Sequence, residues 1–256
     1  MSVYNAQDYL RESIESVLNQ THQNIEFIII NDGSTDSSLD IITDYLKMDE
    51  RIVLIDQGNM GLTKALNVGI RNTSGDYIAR QDADDVSYPN RLEKFIDYLN
   101  VNGQVDFYST PAFVINESSE RKKIIPNYFR RNGFNKEMLN YHNSMIHGTL
   151  IIGSEIAKKN LYNKDYRYSQ DFELYHRLFS NGLVLSYDVN NISYGLRLHG
   201  KSITSKNFQE HLRLFESVFR DNHLRIFKPN FVNKIIFRIL DFVYFLKKYL
   251  LKSAVK

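Results

Sequence analysis

The chain has 256 residues, 43% of them apolar and 24% charged, which is ordinary globular usage with length for one large domain plus an appendage and excludes a disordered or fibrous protein. A net charge of +2 provides no basic field of the kind nucleic acid demands, so no nucleic-acid partner is expected. The absence of cysteine excludes disulfides and thiolate metal sites and fits a reducing cytosol.

Met1 to Asn5 lacks the charged and apolar stretches of a signal peptide. No run of about 18 uninterrupted apolar residues marks a membrane-spanning helix, and the expected location is cytoplasmic. Residues 6–20 read as an amphipathic helix, with Leu10, Ile14, Val17 and Leu18 at helical spacing. A strand over 25–30 follows. Thr35 or Asp36 can cap a helix over 37–47 that turns Leu39, Ile42 and Leu46 inward. A short buried strand at 52–55, a glycine-bearing loop at 57–61, a helix over 62–72 and a strand over 76–80 come next. Pro89 suits the first turn of a helix reaching Asn100. This alternation over 1–100 predicts an α/β fold with a mostly parallel sheet covered by helices.

The second half is less regular. Strands are expected at 105–108 and 112–115, then a polar and aromatic stretch over 117–147 without clear period. A strand at 148–152, a short helix at 154–160, a helix over 171–181 and strands at 184–187 and 192–198 follow. Helices fill 205–222 and 231–251. The chain shows no internal repeat and no low-complexity linker.

Two acidic clusters carry the chemistry: Asn31-Asp32-Gly33-Ser34-Thr35-Asp36 and Gln81-Asp82-Ala83-Asp84-Asp85. Each directly follows a predicted strand, and the carboxyl ends of parallel strands border the crevice where open α/β sheets bind ligands. An Asp-x-Asp turn can offer one carboxylate to Mg²⁺ or Mn²⁺, which favour oxygen ligands and substrate phosphates, and another to a ribose hydroxyl. Asp32 could accept a base N–H, and the backbone N–H groups around it could face an anion. Each cluster also reads as an acidic turn that caps the next helix. The residues alone leave both readings open.

Taken in order, Tyr4-Asn5, Asn31 to Asp36, Asn59-x-Gly61, Ala65-x-Asn67-x-Gly69, Gly75-Asp76-Tyr77 and Asp82-x-Asp84-Asp85 resemble the nucleotide-binding half of the family 2 glycosyltransferases, across most of residues 3–90. The resemblance implies a GT-A fold, a nucleoside-diphosphate sugar donor, Mn²⁺ or Mg²⁺, and inversion at the anomeric carbon. It implies that Asp32 reads the base, usually uracil. Val3, Tyr4, Asn59 and Ala83 would line the nucleotide, Asp82 would meet the ribose, Asp84 would hold the metal, and Arg80 would lie near the diphosphate.

Ser169-Gln170-Asp171-Phe172-Glu173-Leu174 is similar to the family's Glu-Asp pair at the start of a helix, with Gln170 where glutamate is common. There the aspartate takes the proton of the acceptor hydroxyl, the one base an inverting transfer needs. The plainer alternative is that Asp171 only complements the helix N-terminus. Arg197-Leu198-His199-Gly200-Lys201-Ser202 resembles the late Arg-x-His-x-x-Ser segment. On a strand Arg197 and His199 would share a face. Arg197 would clamp the departing diphosphate and His199 would ligate the metal, or both are exposed polar residues at a strand end. His147 and Gln170 fall on the acceptor side.

Phe231 to Leu251 is strongly apolar and interrupted by Arg238, Asp241, Lys247 and Lys248. It suits a helix lying in a membrane interface, or one packed on the domain or on another subunit. Members of the family begin with a strand ending at the Tyr-Asn pair, whereas only Met1-Ser2-Val3 precede Tyr4 here. The first strand therefore reads as truncated, with the native start upstream and Met1 internal. The expected division is a nucleotide-sugar half over 1–100, an acceptor and catalytic half over 101–204, and a helical extension over 205–256. The function expected is metal-assisted, inverting transfer of a sugar, UDP-linked first, to a hydroxyl of a growing surface glycan of capsule or O-antigen type that could be lipid-linked. A nucleotidyltransferase is the alternative enzyme, though the glycine-rich basic loop such enzymes place after their first strand is not seen. A degenerate nucleotide-sugar-binding module is the non-enzyme alternative, opposed by the joint presence of Asp82, Asp84 and Asp171.

Overall fold

The isoleucine run after Glu26 becomes the strand β2 (Phe27–Asp32), buried almost throughout, as expected of a parallel strand covered on both faces. It pairs in parallel with β1 (Ser2–Val3) on one side and β3 (Ile52–Gln57) on the other. This computed structural model describes residues 1–126, 134, 139 and 143–200. The predicted helices at 205–222 and 231–251, and the reading of membrane contact through the latter, lie outside the described residues. Among the described residues no helix is long and apolar enough to cross a membrane.

A parallel bridge from Ser2 to Asp82 joins β1 to a second ladder made of β4 (Tyr77–Ala79), β9 (Ile151–Gly153), β6 (Phe107–Ser109) and β10 (Leu185–Tyr187). β9 runs antiparallel to β4 and β6, while β6 and β10 are parallel. The resulting order is β3-β2-β1-β4-β9-β6-β10, parallel except at β9. A smaller sheet has the order β5-β11-β7-β8, from β5 (Val86–Ser87), β11 (Tyr194–Arg197), β7 (Ala112–Ile115) and β8 (Arg121–Ile125). The short edge pieces β5 and β8 have no counterpart in the predicted strands.

The helices are α1 (Leu10–Leu18), α2 (Ser38–Met48), α3 (Leu62–Asn72), α4 (Arg91–Asn102), α5 (Ser154–Lys159) and α6 (Gln170–Ser180). Successive β2 side chains face opposite ways. Ile29 joins Leu10, Ile14, Ile41 and Ile42 of α1 and α2. Leu66 and Ile70 of α3 instead pack with Phe107, Phe172, Tyr175 and Leu178. α1 is shorter than the predicted 6–20, because Ala6 to Tyr9 form a turn that Ser38 and Asp36 hold from across the crevice: Ala6 N–H donates to Ser38 Oγ at 2.9 Å and Gln7 N–H to Asp36 Oδ2 at 3.1 Å.

The short first strand read from the sequence is present as two paired residues. Beside it, between β2 and β4, lies a cavity of about 560 Å³ bordered by Met1, Ile28, Ile78, Ala79, Arg80 and Tyr162. Met1 N donates to Ile28 O at 2.8 Å.

The strand expected at 148–152 is a 3-10 turn, His147–Thr149, followed by β9. Gly148 lies under Tyr194, and a Cβ there would sit 2.3 Å from the phenol oxygen. Gly148→Ala is therefore expected to destabilise the fold by about 1–3 kcal/mol, the usual range for overpacking, read as a lower urea midpoint.

Candidate active site

The first acidic cluster folds back on the 57–61 loop. Asp32, buried at the end of β2, accepts from Gln57 Nε2 at 2.7 Å and Met60 N–H at 2.9 Å on Oδ1, and from Gly61 N–H at 2.8 Å on Oδ2. Gly33 has φ +70° and passes so close to the loop that a Cβ would stand 2.5 Å from Asn59 N; only glycine satisfies both demands. A carboxylate has about four acceptor positions, so these three donors leave Asp32 one on Oδ2. Asn59 is exposed above Gly33. Tyr4 is 53% exposed, and its neighbour Asn5 accepts from Thr35 N–H at 2.7 Å and donates its own N–H to Ser34 Oγ at 3.1 Å. Tyr4 and Asn59 are thus both open on loops anchored to this cluster. Val3 and Ala83 are not lining side chains: both lie in the α1–α2 core, so either could meet a nucleotide only through its backbone.

The second cluster divides its carboxylates among three tasks. Asp82 takes Arg80 Nη2 at 2.5 Å on Oδ1. Burial would raise its carboxyl, but the Arg80 charge and hydrogen bond, with His147 nearby, hold it below the usual range. Asp84 Oδ2 lies 2.8 Å from His199 Nε2; burial and the Asp82 charge push its carboxyl up. Asp85 is structural. It accepts the Tyr194 hydroxyl at 2.9 Å and the Arg197 backbone N–H at 2.8 Å, and burial with the charges of Asp84 and Asp82 raises it well above the ordinary value.

The Arg80 side chain is only 7% exposed and is held by Asp82, which leaves it little surface to offer a diphosphate. Arg197 is buried, and every guanidinium N–H is engaged. Nε donates to Asp84 O at 2.7 Å, Nη1 to Asn116 O and Glu117 O at 2.9 and 3.0 Å, and Nη2 to Glu12 Oε2 and Ser119 Oγ at 2.6 and 3.0 Å. No donor of its five is left for a phosphate. Arg197 is a rivet between β11, α1 and the turn after β7. Arg197→Met is expected to lower stability by about 2–4 kcal/mol, measured by urea denaturation.

His199 is packed 4.9 Å from the Tyr9 ring, and its Nδ1 is buried without a hydrogen-bond partner among the described residues. An imidazole beside a carboxylate that burial and a neighbouring charge have raised is a donor pair that a divalent cation would relieve, and the residues present fit that group. Among the described residues no cluster of three or more His, Cys, Asp or Glu side chains could hold a metal. A cation here would complete its shell with substrate oxygens, as Mg²⁺ and Mn²⁺ do.

Asp171 lies in the first turn of α6, partly open, and accepts Asn143 Nδ2 at 2.6 Å on Oδ2. Gln170 is buried, so its side chain is not open to an acceptor. His147 is engaged on both nitrogens: Nδ1 is 3.2 Å from Arg80 Nη2 and Nε2 is 2.6 Å from Tyr162 Oη. That removes it from acceptor contact. The Asp171 charge reaches both His147 and Tyr162, so the two acidic centres flank one network. Sequence reasoning missed Tyr162, Asn143 and Glu12; each contributes through a contact far along the chain and belongs to no motif.

Residues 1–160 match the family described as Glycosyl transferase family 2. The chain belongs to that family. It is similar to an uncharacterized glycosyltransferase of Haemophilus influenzae, 33% identical over 230 residues, covering 86% of this chain and 70% of that protein. It is also similar to the putative glycosyltransferase EpsE of Bacillus subtilis, 32% identical over 217 residues, covering 81% and 75%. Among solved structures it resembles S. aureus TarS 1-349 in complex with UDP-GlcNAc, with TM-score 0.67, 16% identity, 84% of this chain and 64% of that one. The mannosyltransferase PcManGT of Pyrobaculum calidifontis, in complex with GDP-Man and Mn²⁺, gives TM-score 0.64, 16% identity, 86% and 63%. The chain thus spans just under two thirds of those two structures. Likeness at that identity carries the fold alone, which is the GT-A fold.

Proposed function

We propose that this glycosyltransferase moves a sugar from a nucleoside diphosphate, UDP first, to a hydroxyl of a growing surface glycan, with inversion at the anomeric carbon. The observation that carries the reading is the Asp84–His199 pair beside Asp82, at the strand ends where GT-A folds receive a nucleotide sugar. The neighbours' UDP-GlcNAc and GDP-Man support the donor class. Residues 1–100 supply Asp32, Asp82 and Asp84 to the donor side, and the later half supplies the acceptor side with Asp171 and returns His199 to the metal. Asp32 offers its remaining acceptor position to the base, Tyr4 and Asn59 border it, and Asp82 meets the ribose. The acceptor oxygen attacks the anomeric carbon as the bond to the diphosphate oxygen breaks, its proton passes to Asp171, and the bonding pair leaves with the nucleotide. A divalent cation held by Asp84 with His199 would neutralise the charge that grows on that diphosphate. A lipid-linked acceptor, with Phe231 to Leu251 at the membrane interface, belongs to the same reading on the strength of that segment's apolar run and its Arg238, Lys247 and Lys248.

The test is a panel of UDP-, dTDP- and GDP-sugars incubated with the protein and Mn²⁺ or EDTA, with binding followed by calorimetry and release of free sugar by chromatography. One nucleotide sugar should bind and hydrolyse slowly only with the cation. Pyrophosphate release from a nucleoside triphosphate would instead identify a nucleotidyltransferase, and binding without any turnover a recognition module.

A further inference from the structure

We propose that His147 and Tyr162 are positioning residues for the nucleotide side of the site, an uncharged bridge that holds Arg80 against Asp82 and so sets the direction of the Asp82 carboxylate. The inference rests on the reading above that Asp82 faces the nucleotide.

The hydrogen-bond polarity follows from the partners. A guanidinium only donates, so Arg80 Nη2, 3.2 Å away, requires a lone pair on His147 Nδ1. The ring proton then sits on Nε2 and donates to Tyr162 Oη at 2.6 Å. Tyr162 is fixed in turn. Asn67 of α3 donates Nδ2 to its carbonyl and accepts its N–H, both at 2.8 Å, across 95 residues of chain. The motif asparagine is therefore the foot of the brace. At the other end Arg80 has few restraints: Nη1 reaches Gln81 O at 3.2 Å, and Nε is buried without a partner among the described residues. His147 and Asp82 together hold Nη2. Desolvation and the adjacent Arg80 charge lower His147 to about 4, so the ring is uncharged at neutral pH, as a neighbour of a guanidinium must be.

Two measurements on the full chain test the bridge. In protein labelled with ¹⁵N-histidine, His147 should show the Nε2–H tautomer without any ligand; an Nδ1–H tautomer would overturn the proposal whether or not the protein binds a nucleotide. Calorimetry with UDP and with GDP, each with Mn²⁺, should find His147→Leu about tenfold weaker, as partners behind a binding group commonly are. His147→Gln should stay within about twofold, because its carbonyl oxygen can accept from Arg80 and its amide can donate to Tyr162. In an Arg80→Met background His147→Leu should add no more than about twofold, since the residue acts through Arg80; additive losses, or a glutamine as damaging as leucine, would count against it. Should His147→Leu not fold, Tyr162→Phe removes a single hydroxyl and is expected to weaken the same diphosphate about three- to tenfold; unchanged affinity in a variant with a normal melting curve would overturn the bridge. A wild type that binds neither diphosphate would remove the nucleotide reading and leave the tautomer to decide the brace.

Discussion

Asp171→Asn is expected to leave the affinity for UDP and Mn²⁺ within about twofold and to lower sugar transfer by about 10²–10⁴-fold, the usual contribution of a positioned general base. The exchange keeps shape and volume. An asparagine at the first turn of α6 still offers an oxygen to Asn143, whose present bond is 2.6 Å. What it lacks is a site for the acceptor's proton. The attacking hydroxyl must lose that proton as the diphosphate leaves, and Asp171 is the carboxylate proposed to take it. The check is a paired measurement on one preparation: calorimetry with UDP and Mn²⁺, then transfer with the donor found by the panel. Near-normal turnover would show that the proton goes elsewhere. Loss of donor affinity in parallel with turnover would assign Asp171 to binding.

Asp84→Ala should abolish the part of donor affinity that depends on the cation, so that UDP binds with Mn²⁺ as it does with EDTA. In the fold this carboxyl is raised by burial and by the Asp82 charge, and only a cation or a proton relieves it. His199 would remain as a lone nitrogen ligand, which a hard divalent ion satisfies poorly. The same variant makes a second prediction in the metal-free protein. A carboxyl with a folded pKa above its unfolded value binds protons more tightly in the fold. It therefore opposes stability increasingly as pH rises from the ordinary carboxylate range through the raised folded value. Removing Asp84 lifts that penalty, so metal-free Asp84→Ala is expected to melt no lower than the wild type at neutral pH, although it loses the 2.8 Å contact with His199. A lower melting temperature together with intact Mn²⁺ dependence would place the metal elsewhere. Sites that trade stability for ligand binding show this pattern.

Much of the first half was legible in the residues. The Phe27–Asp32 run, the apolar spacing of α1, α2 and α3, and the acidic turns after two strands are local signals, set by period and by turn chemistry. The second half was less so. The smaller sheet pairs β5 with β11 and β11 with β7, contacts between segments about 80 to 110 residues apart that no local pattern announces. The turn at Gly148, read as a strand, passes so close to the Tyr194 ring, distant in the chain, that a Cβ there would clash with it.

The site shows the same division. Its acidic residues and their order were determined by the sequence alone, because a carboxylate at a strand end is placed by the strand that precedes it. Which of those groups are free to act was decided only by the tertiary structure. Arg197 reads as a phosphate clamp in the sequence, yet in the fold Glu12, Asn116, Glu117, Ser119 and Asp84 take all its donors. His147 reads as an acceptor contact, yet Arg80 and Tyr162 occupy its two nitrogens, and Asp85, one of three aspartates in four residues, is closed off by Tyr194 and β11. The physical reason is saturation. A polar group's chemistry is set by which of its hydrogen-bond positions remain after folding, and those positions are filled by partners distant in the chain.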